Sequence, residues 1–129
     1  MDERIVDSPE QALDRIVDNI LSGDEISVAE EVQYFWRQGW KLEAIDDPCD
    51  GDPLRYALKA CLVERLHEIW TTAPKNRKDH VPDWCAQVRP VENPFSVVKE
   101  EDQYLFENYT SAIFAKRNIF APKEYLFFV

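Results

Sequence analysis

Asp52-Pro53-Leu54-Arg55-Tyr56-Ala57-Leu58-Lys59-Ala60-Cys61-Leu62-Val63-Glu64-Arg65-Leu66-His67-Glu68-Ile69-Trp70 carries the strongest helical signal in the chain. Asp52 suits the N-cap, and Pro53 suits the first turn, where its missing N–H costs nothing. Steps of about 100° per residue put Leu54, Leu58, Cys61, Leu62, Leu66 and Ile69 on one broad face. Val63 and Trp70 widen that face, and Glu64, His67 and Glu68 make the one polar strip. A helix with so little polar surface is expected at the centre of the fold.

Two amphipathic helices precede it. Ser8-Pro9-Glu10-Gln11 reads as a helix start with a capping box, followed by Leu13, Ile16, Val17, Ile20 and Leu21 at helical spacing and Gly23 as the stop. Glu10, Asp14 and Asp18 stand four apart beside that stripe, an acidic ridge that costs a helix a few tenths of a kcal/mol per pair. Ser27 with Glu30 reads as a second capping box, with Val28, Val32, Phe35 and Trp36 as the buried stripe and Tyr34 and Arg37 facing away.

Beyond Trp70 the periodicity stops. Pro74, Pro82, Pro90 and Pro94 divide residues 71–95, which read as a functional loop or a wrapping segment pinned by Val81, Trp84 and Val88. Lys99 to Asn108 reads as helical, with Tyr104, Leu105 and Tyr109 inward, and a shorter helix is expected over Ser111 to Arg117. The chain closes on Tyr125-Leu126-Phe127-Phe128-Val129, expected to complete its own core or to pair two copies as a homodimer. The predicted fold class is therefore mostly α, a small helical domain. It comprises three amphipathic helices, a long Pro-containing loop, one or two shorter helices and an extended apolar C-terminal tail. A single domain is expected over 1–129: a helical core at 8–70, an irregular loop at 71–95, and a helix plus tail at 96–129.

Charge narrows the function classes. Residues 1–52 hold 15 acids and 4 bases, a net of −11, and residues 53–129 hold 10 acids and 11 bases, a net of +1, which together make the −10 of the chain. Nucleic-acid binding needs a basic stripe, and the nearest approach to one is Lys75, Arg77 and Lys78, so neither nucleic acid nor anionic membrane is an expected partner. No run approaches the roughly 18 apolar residues of a membrane helix, and MDERIVDSPE has no apolar stretch of the kind a secretory signal carries. Three irregularly spaced cysteines fit free thiols in a reducing, cytoplasmic setting.

Candidate chemistry is sparse. Asp46-Asp47-Pro48-Cys49-Asp50-Gly51-Asp52-Pro53 offers Asp46, Asp47 and Asp50 as oxygen ligands for a divalent cation. As an EF-hand it fails, with Pro48 at position three and Ala57 at position twelve. Asp-Gly and Pro are equally the chemistry of a turn. Cys49, Cys61, Cys85, His67 and His80 lack structural-zinc spacing. No nucleophile elbow, P-loop or dinucleotide fingerprint occurs, leaving a Cys85–His80 pair as the enzyme alternative. Arg65, inside an apolar stripe, needs a partner: either a front-half acid or, together with Arg55, an anionic ligand.

These features point to a non-enzymatic acidic protein-binding module, a regulator, adaptor or inhibitor that docks a basic partner. Glu10, Asp14, Asp18, Tyr34 and Trp84 are its expected contact residues, and no cofactor is expected. The alternative is a small ligand- or cation-binding domain using the 46–52 loop or the Arg55/Arg65 face.

Overall fold

The structure, a computed structural model, describes residues 7–98 and 110–126. The chain is mostly helical, and α3 (Pro53–Thr71) is its central element. The Asp52 carboxylate accepts from the backbone N–H of Leu54 at 3.0 Å and of Arg55 at 3.4 Å, which satisfies two orphan donors of the first turn. Ala57, Leu58, Ala60, Cys61, Leu62, Val63, Leu66 and Trp70 are buried, and so are Lys59 and Arg65. Apolar residues therefore surround the helix rather than forming a stripe, as expected of an element covered on all sides. Each such leucine contributes roughly 1.5–3 kcal/mol by leaving water.

α1 (Pro9–Ser22) and α2 (Glu25–Arg37) form a hairpin packed against α3. The Ser8 hydroxyl accepts from Gln11 N–H at 3.1 Å, and Gly23, at φ 77°, adopts the left-handed conformation that closes α1. Ala12, Leu13, Ile16, Val17 and Ile20 are buried, but Leu21 is 40% exposed. It lies past the edge of the stripe and faces out beside the turn.

The start of α2 differs from the sequence reading. Asp24, not Ser27, is the cap: its carboxylate accepts from Ser27 N–H at 3.0 Å and from Ser27 Oγ at 2.7 Å. Because Gly23 reverses the chain in a single residue, the helix begins at Glu25 and Ser27 becomes its third residue.

Residues 72–94 wrap around this core. Trp84, Val88 and Val91 are buried, and a 3-10 turn spans Asp83–Gln87. Beyond it, β1 (Phe95–Ser96) pairs in parallel with β2 (Ile119–Phe120), in the register Phe95↔Ile119 and Ser96↔Phe120. Strands this short carry no alternation that sequence periodicity can report. A one-turn helix, Ala112–Ala115, buries Phe114 within the expected 111–117 interval. In the tail, Thr110 bridges Pro122, and Tyr125 packs edge-on against Phe114 at 5.6 Å, so this part turns back onto its own core instead of extending. The helix expected over Lys99 to Asn108, with Tyr104, Leu105 and Tyr109, lies outside the described residues, as do Phe127, Phe128 and Val129.

Candidate functional site

The acidic ridge of α1 meets the start of α3. Arg55 donates to Asp18 at 2.6 Å and to Asp14 at 2.7 Å. Lys59 reaches Asp14 and Asp50, both at 2.8 Å. Lys59 holds the Asp14 carboxyl below its usual range, with Arg55 adding to the effect. Burial pulls Asp50 upward, but Lys59 and the Asp52 N–H outweigh it and leave its carboxyl lowered. Glu10 accepts from Asp46 N–H at 2.7 Å. The three ridge acids thus staple α1 to α3 and to the loop before it, which relieves the repulsion that their spacing alone would impose.

Arg55 and Arg65 do not share a site. Ten helical residues separate them, roughly 15 Å along the axis. Arg65 is 7% exposed and donates to the carbonyls of Tyr125 at 2.8 Å and Lys123 at 2.7 Å, and to Glu68. Its partners are the C-terminal turn and Glu68, not a front-half acid, and it borders a cavity of about 370 Å³ with Glu68, Ile69 and Lys75.

The 46–52 loop is held by internal bonds. Asp47 accepts from Cys49 N–H at 2.9 Å and from the Tyr56 hydroxyl at 2.7 Å, with Cys49 at φ 45° inside the turn. Asp50 accepts from Asp52 N–H at 2.9 Å and pairs with Lys59. Asp46 is exposed, and its backbone N–H donates to Glu10 at 2.7 Å. Among the described residues, no group of three His, Cys, Asp or Glu side chains converges as a metal site. The Asp47 and Asp50 carboxylates are thus occupied by turn N–H groups and by Tyr56 and Lys59 of α3.

The two aromatic contact candidates are both engaged within the chain, Trp84 buried and Tyr34 half-buried. Tyr34 donates to Asp7 at 2.8 Å, inside a cluster where Arg15 grips Asp7 at 2.8 and 3.1 Å and Glu31 at 3.1 Å. The Arg15 guanidinium, with Tyr34 and the Ser8 N–H, brings the Asp7 carboxyl down to about 2 against the opposing pull of burial. Trp84 is 7% exposed, donates from Nε1 to the Ile45 carbonyl at 2.9 Å and stacks on Tyr56 at 5.8 Å. Its expected role as an exposed contact is therefore corrected: the indole is core, because a buried N–H needs the acceptor that Ile45 provides. Cys61 and Cys85 are buried, and burial pushes their thiols up to about 11 and about 12. Neither is thiolate near neutral pH. His80 is exposed while Cys85 is enclosed, so the geometry does not supply a reactive pair.

The open surface includes Leu21, expected in the buried stripe of α1, and Ile26, which the sequence reading did not single out. Leu21 and Ile26, 40% and 75% exposed, are the exposed large hydrophobic residues among those described. They flank the α1–α2 turn and line a cavity of about 580 Å³ together with Asp24, Glu25, Phe95 and Val97. A neighbouring groove of about 330 Å³ runs between α1 and α2, with Asp18, Glu30 and Glu31 around Arg15. A signal for Ile26 did exist. With Asp24 as cap, the helical wheel sets Ile26 opposite Val28, Val32 and Phe35. No helix among the described residues is long and apolar enough to cross a membrane. No family model matches the sequence, and no curated protein or solved structure shows significant similarity to it.

Proposed function

We propose that this chain is a non-enzymatic protein-binding module that docks a basic, amphipathic segment of a partner across the α1–α2 turn. The observation that carries the reading is the pairing of Ile26 and Leu21, both exposed and lining one cavity with Asp24 and Glu25. Covering a large aliphatic side chain contributes roughly 1.5–3 kcal/mol. Asp24 and Glu25 in that lining, with Asp18, Glu30 and Glu31 in the adjoining groove, favour Lys- and Arg-bearing segments and disfavour acidic ones. Of the expected contact residues, Asp18 belongs to this surface. Glu10 and Asp14 support it from behind through their bonds to the Asp46 backbone and to Arg55 and Lys59, while Tyr34 holds Asp7 and Trp84 serves the interior. The module acts as a regulator, adaptor or inhibitor in a reducing compartment, in keeping with its three free thiols.

Display of a random peptide library against the intact protein tests this. Retained peptides are expected to carry Lys or Arg around two apolar anchors. Their binding should weaken between about 50 mM and 500 mM salt, as screening shortens the range of the acidic residues. Ile26→Asp should remove the enrichment without moving the melting temperature, since the side chain is already in water. Enrichment that is unchanged in Ile26→Asp and Leu21→Asp, or dominated by acidic peptides, sinks the reading.

A further inference from the structure

We propose that a second site, separate from the docking surface, binds small molecules that carry a phosphate on a flat ring, held by Arg37 and Lys75 beside the Trp36 indole. Gln33, Trp36 and Arg37 stand three and four residues apart on α2 and so share one face. Lys75 arrives from the turn after α3, where Lys75 N–H and Asn76 N–H donate to the Thr72 carbonyl at 3.1 and 3.2 Å and Arg77 N–H donates to the Trp70 carbonyl at 2.7 Å. These four side chains, Gln33, Trp36, Arg37 and Lys75, line a cavity of about 210 Å³. Pockets for drug-sized ligands run from roughly 300 to 1,000 Å³, so this one suits a small ligand.

Among the described residues most of the helix-bound cations are paired, but Arg37 and Lys75 are not. Arg15, Arg55, Lys59, Arg77 and Arg117 each pair with a carboxylate. Arg37 and Lys75 form no ion pair among the described residues, although the chain carries ten surplus negative charges. Other exposed lysines share that freedom, but these two cations converge on one cavity with an indole wall. Arg77 sits 4.6 Å from the Trp36 centroid and 4.7 Å from that of Trp70, and it is neutralised by Asp79 at 2.5 Å. It fixes the Trp36 ring and is not available to a ligand. The Lys75 ammonium is 5.8 Å from the Trp36 centroid, close to the outer limit of about 6 Å for a cation–π contact. Exchanging that contact for a phosphate oxygen loses little and gains a charge-assisted hydrogen bond. The Arg37 guanidinium can donate to the remaining oxygens as a fork, the Gln33 amide can donate a further bond, and the ligand's ring then lies against the indole.

The test is an NMR titration of the intact protein with three probes: phenyl phosphate, adenosine monophosphate and inorganic phosphate. Saturable shifts are expected at the Trp36 indole N–H and at the amides of Arg37 and Lys75. The two ring phosphates should bind at least about tenfold more tightly than inorganic phosphate, and Arg37→Ala and Lys75→Ala should each weaken them about tenfold. Both side chains are exposed, so the variants keep the parent's circular dichroism and melting temperature. Whichever ring phosphate binds more tightly identifies the source, an aryl phosphate or a nucleotide. The proposal is overturned by any of three results: no saturable shift up to about 10 mM, equal affinity for inorganic phosphate, or undiminished binding in the two variants.

Discussion

Arg117 grips Glu64 at both ends of its guanidinium, Nη1 to Oε1 at 2.6 Å and Nη2 to Oε2 at 3.2 Å, across a sequence separation of 53 residues. The same group donates to the Cys85 carbonyl at 2.6 Å and to the Val88 carbonyl at 3.2 Å. One buried cation therefore ties together α3, the wrapping segment and the C-terminal region. Every donor has an acceptor, which is the condition under which a buried charge is tolerated.

Removing that cation should be costly. Arg117→Ala strands Glu64 and two buried carbonyls, and the expected loss is about 3 kcal/mol by urea unfolding. Glu64→Gln keeps a hydrogen-bond acceptor and should cost less. Lys116, 2.9 Å from Glu64, softens the effect of Arg117→Ala without replacing the fork. Equal costs for the two variants would mean that the carbonyl contacts carry no weight.

Acid should weaken the Asp7–Arg15–Tyr34 cluster within a definable window. The folded pKa of Asp7, about 2, lies below the ordinary value of 3.8, so its contribution is complete above about 4 and fades as pH falls towards 2. Asp7→Asn should lower the melting temperature at neutral pH, and the gap to the parent should narrow between pH 4 and pH 2. A gap independent of pH would assign the effect to packing.

Thiol labelling should divide the cysteines by burial. Cys49 is exposed, whereas Cys61 and Cys85 are enclosed with thiols pushed up to about 11 and about 12. A disulfide reagent at pH 8 should modify one thiol quickly in the folded protein and all three after denaturation. Two fast thiols would contradict the packing around Arg117.

Trp84 tests the wrapping segment. Trp84→Phe keeps the stack on Tyr56 but leaves the Ile45 carbonyl without its donor, an expected loss of about 1 kcal/mol. Trp84→Ala also opens a cavity and should cost roughly 3–5 kcal/mol. The parent and both variants are compared by thermal unfolding, and a Phe variant as stable as the parent would mean that water replaces the indole at Ile45.

The helices, their caps and the central place of α3 were legible in the sequence because the responsible interactions are local. Ser8 reaches Gln11, Asp52 reaches Leu54, and the apolar spacing of α1 repeats every turn. One local rule did fail: Asp24 displaced Ser27 as cap, since both residue types suit that position and only the reversal at Gly23 chooses between them.

Tertiary structure alone decided which charges meet. Arg55 and Arg65 carry the same group on the same helix, yet one binds the α1 ridge 37 and 41 residues away and the other binds carbonyls 58 and 60 residues away. No periodicity encodes that choice, because it depends on which segment the packing of apolar faces brings alongside. The same holds for Trp84 turning inward and for the parallel pairing of two-residue strands. Leu21 and Ile26 stay 40% and 75% exposed at the α1–α2 turn, a degree of burial that depends on how the 95–98 segment packs beside them.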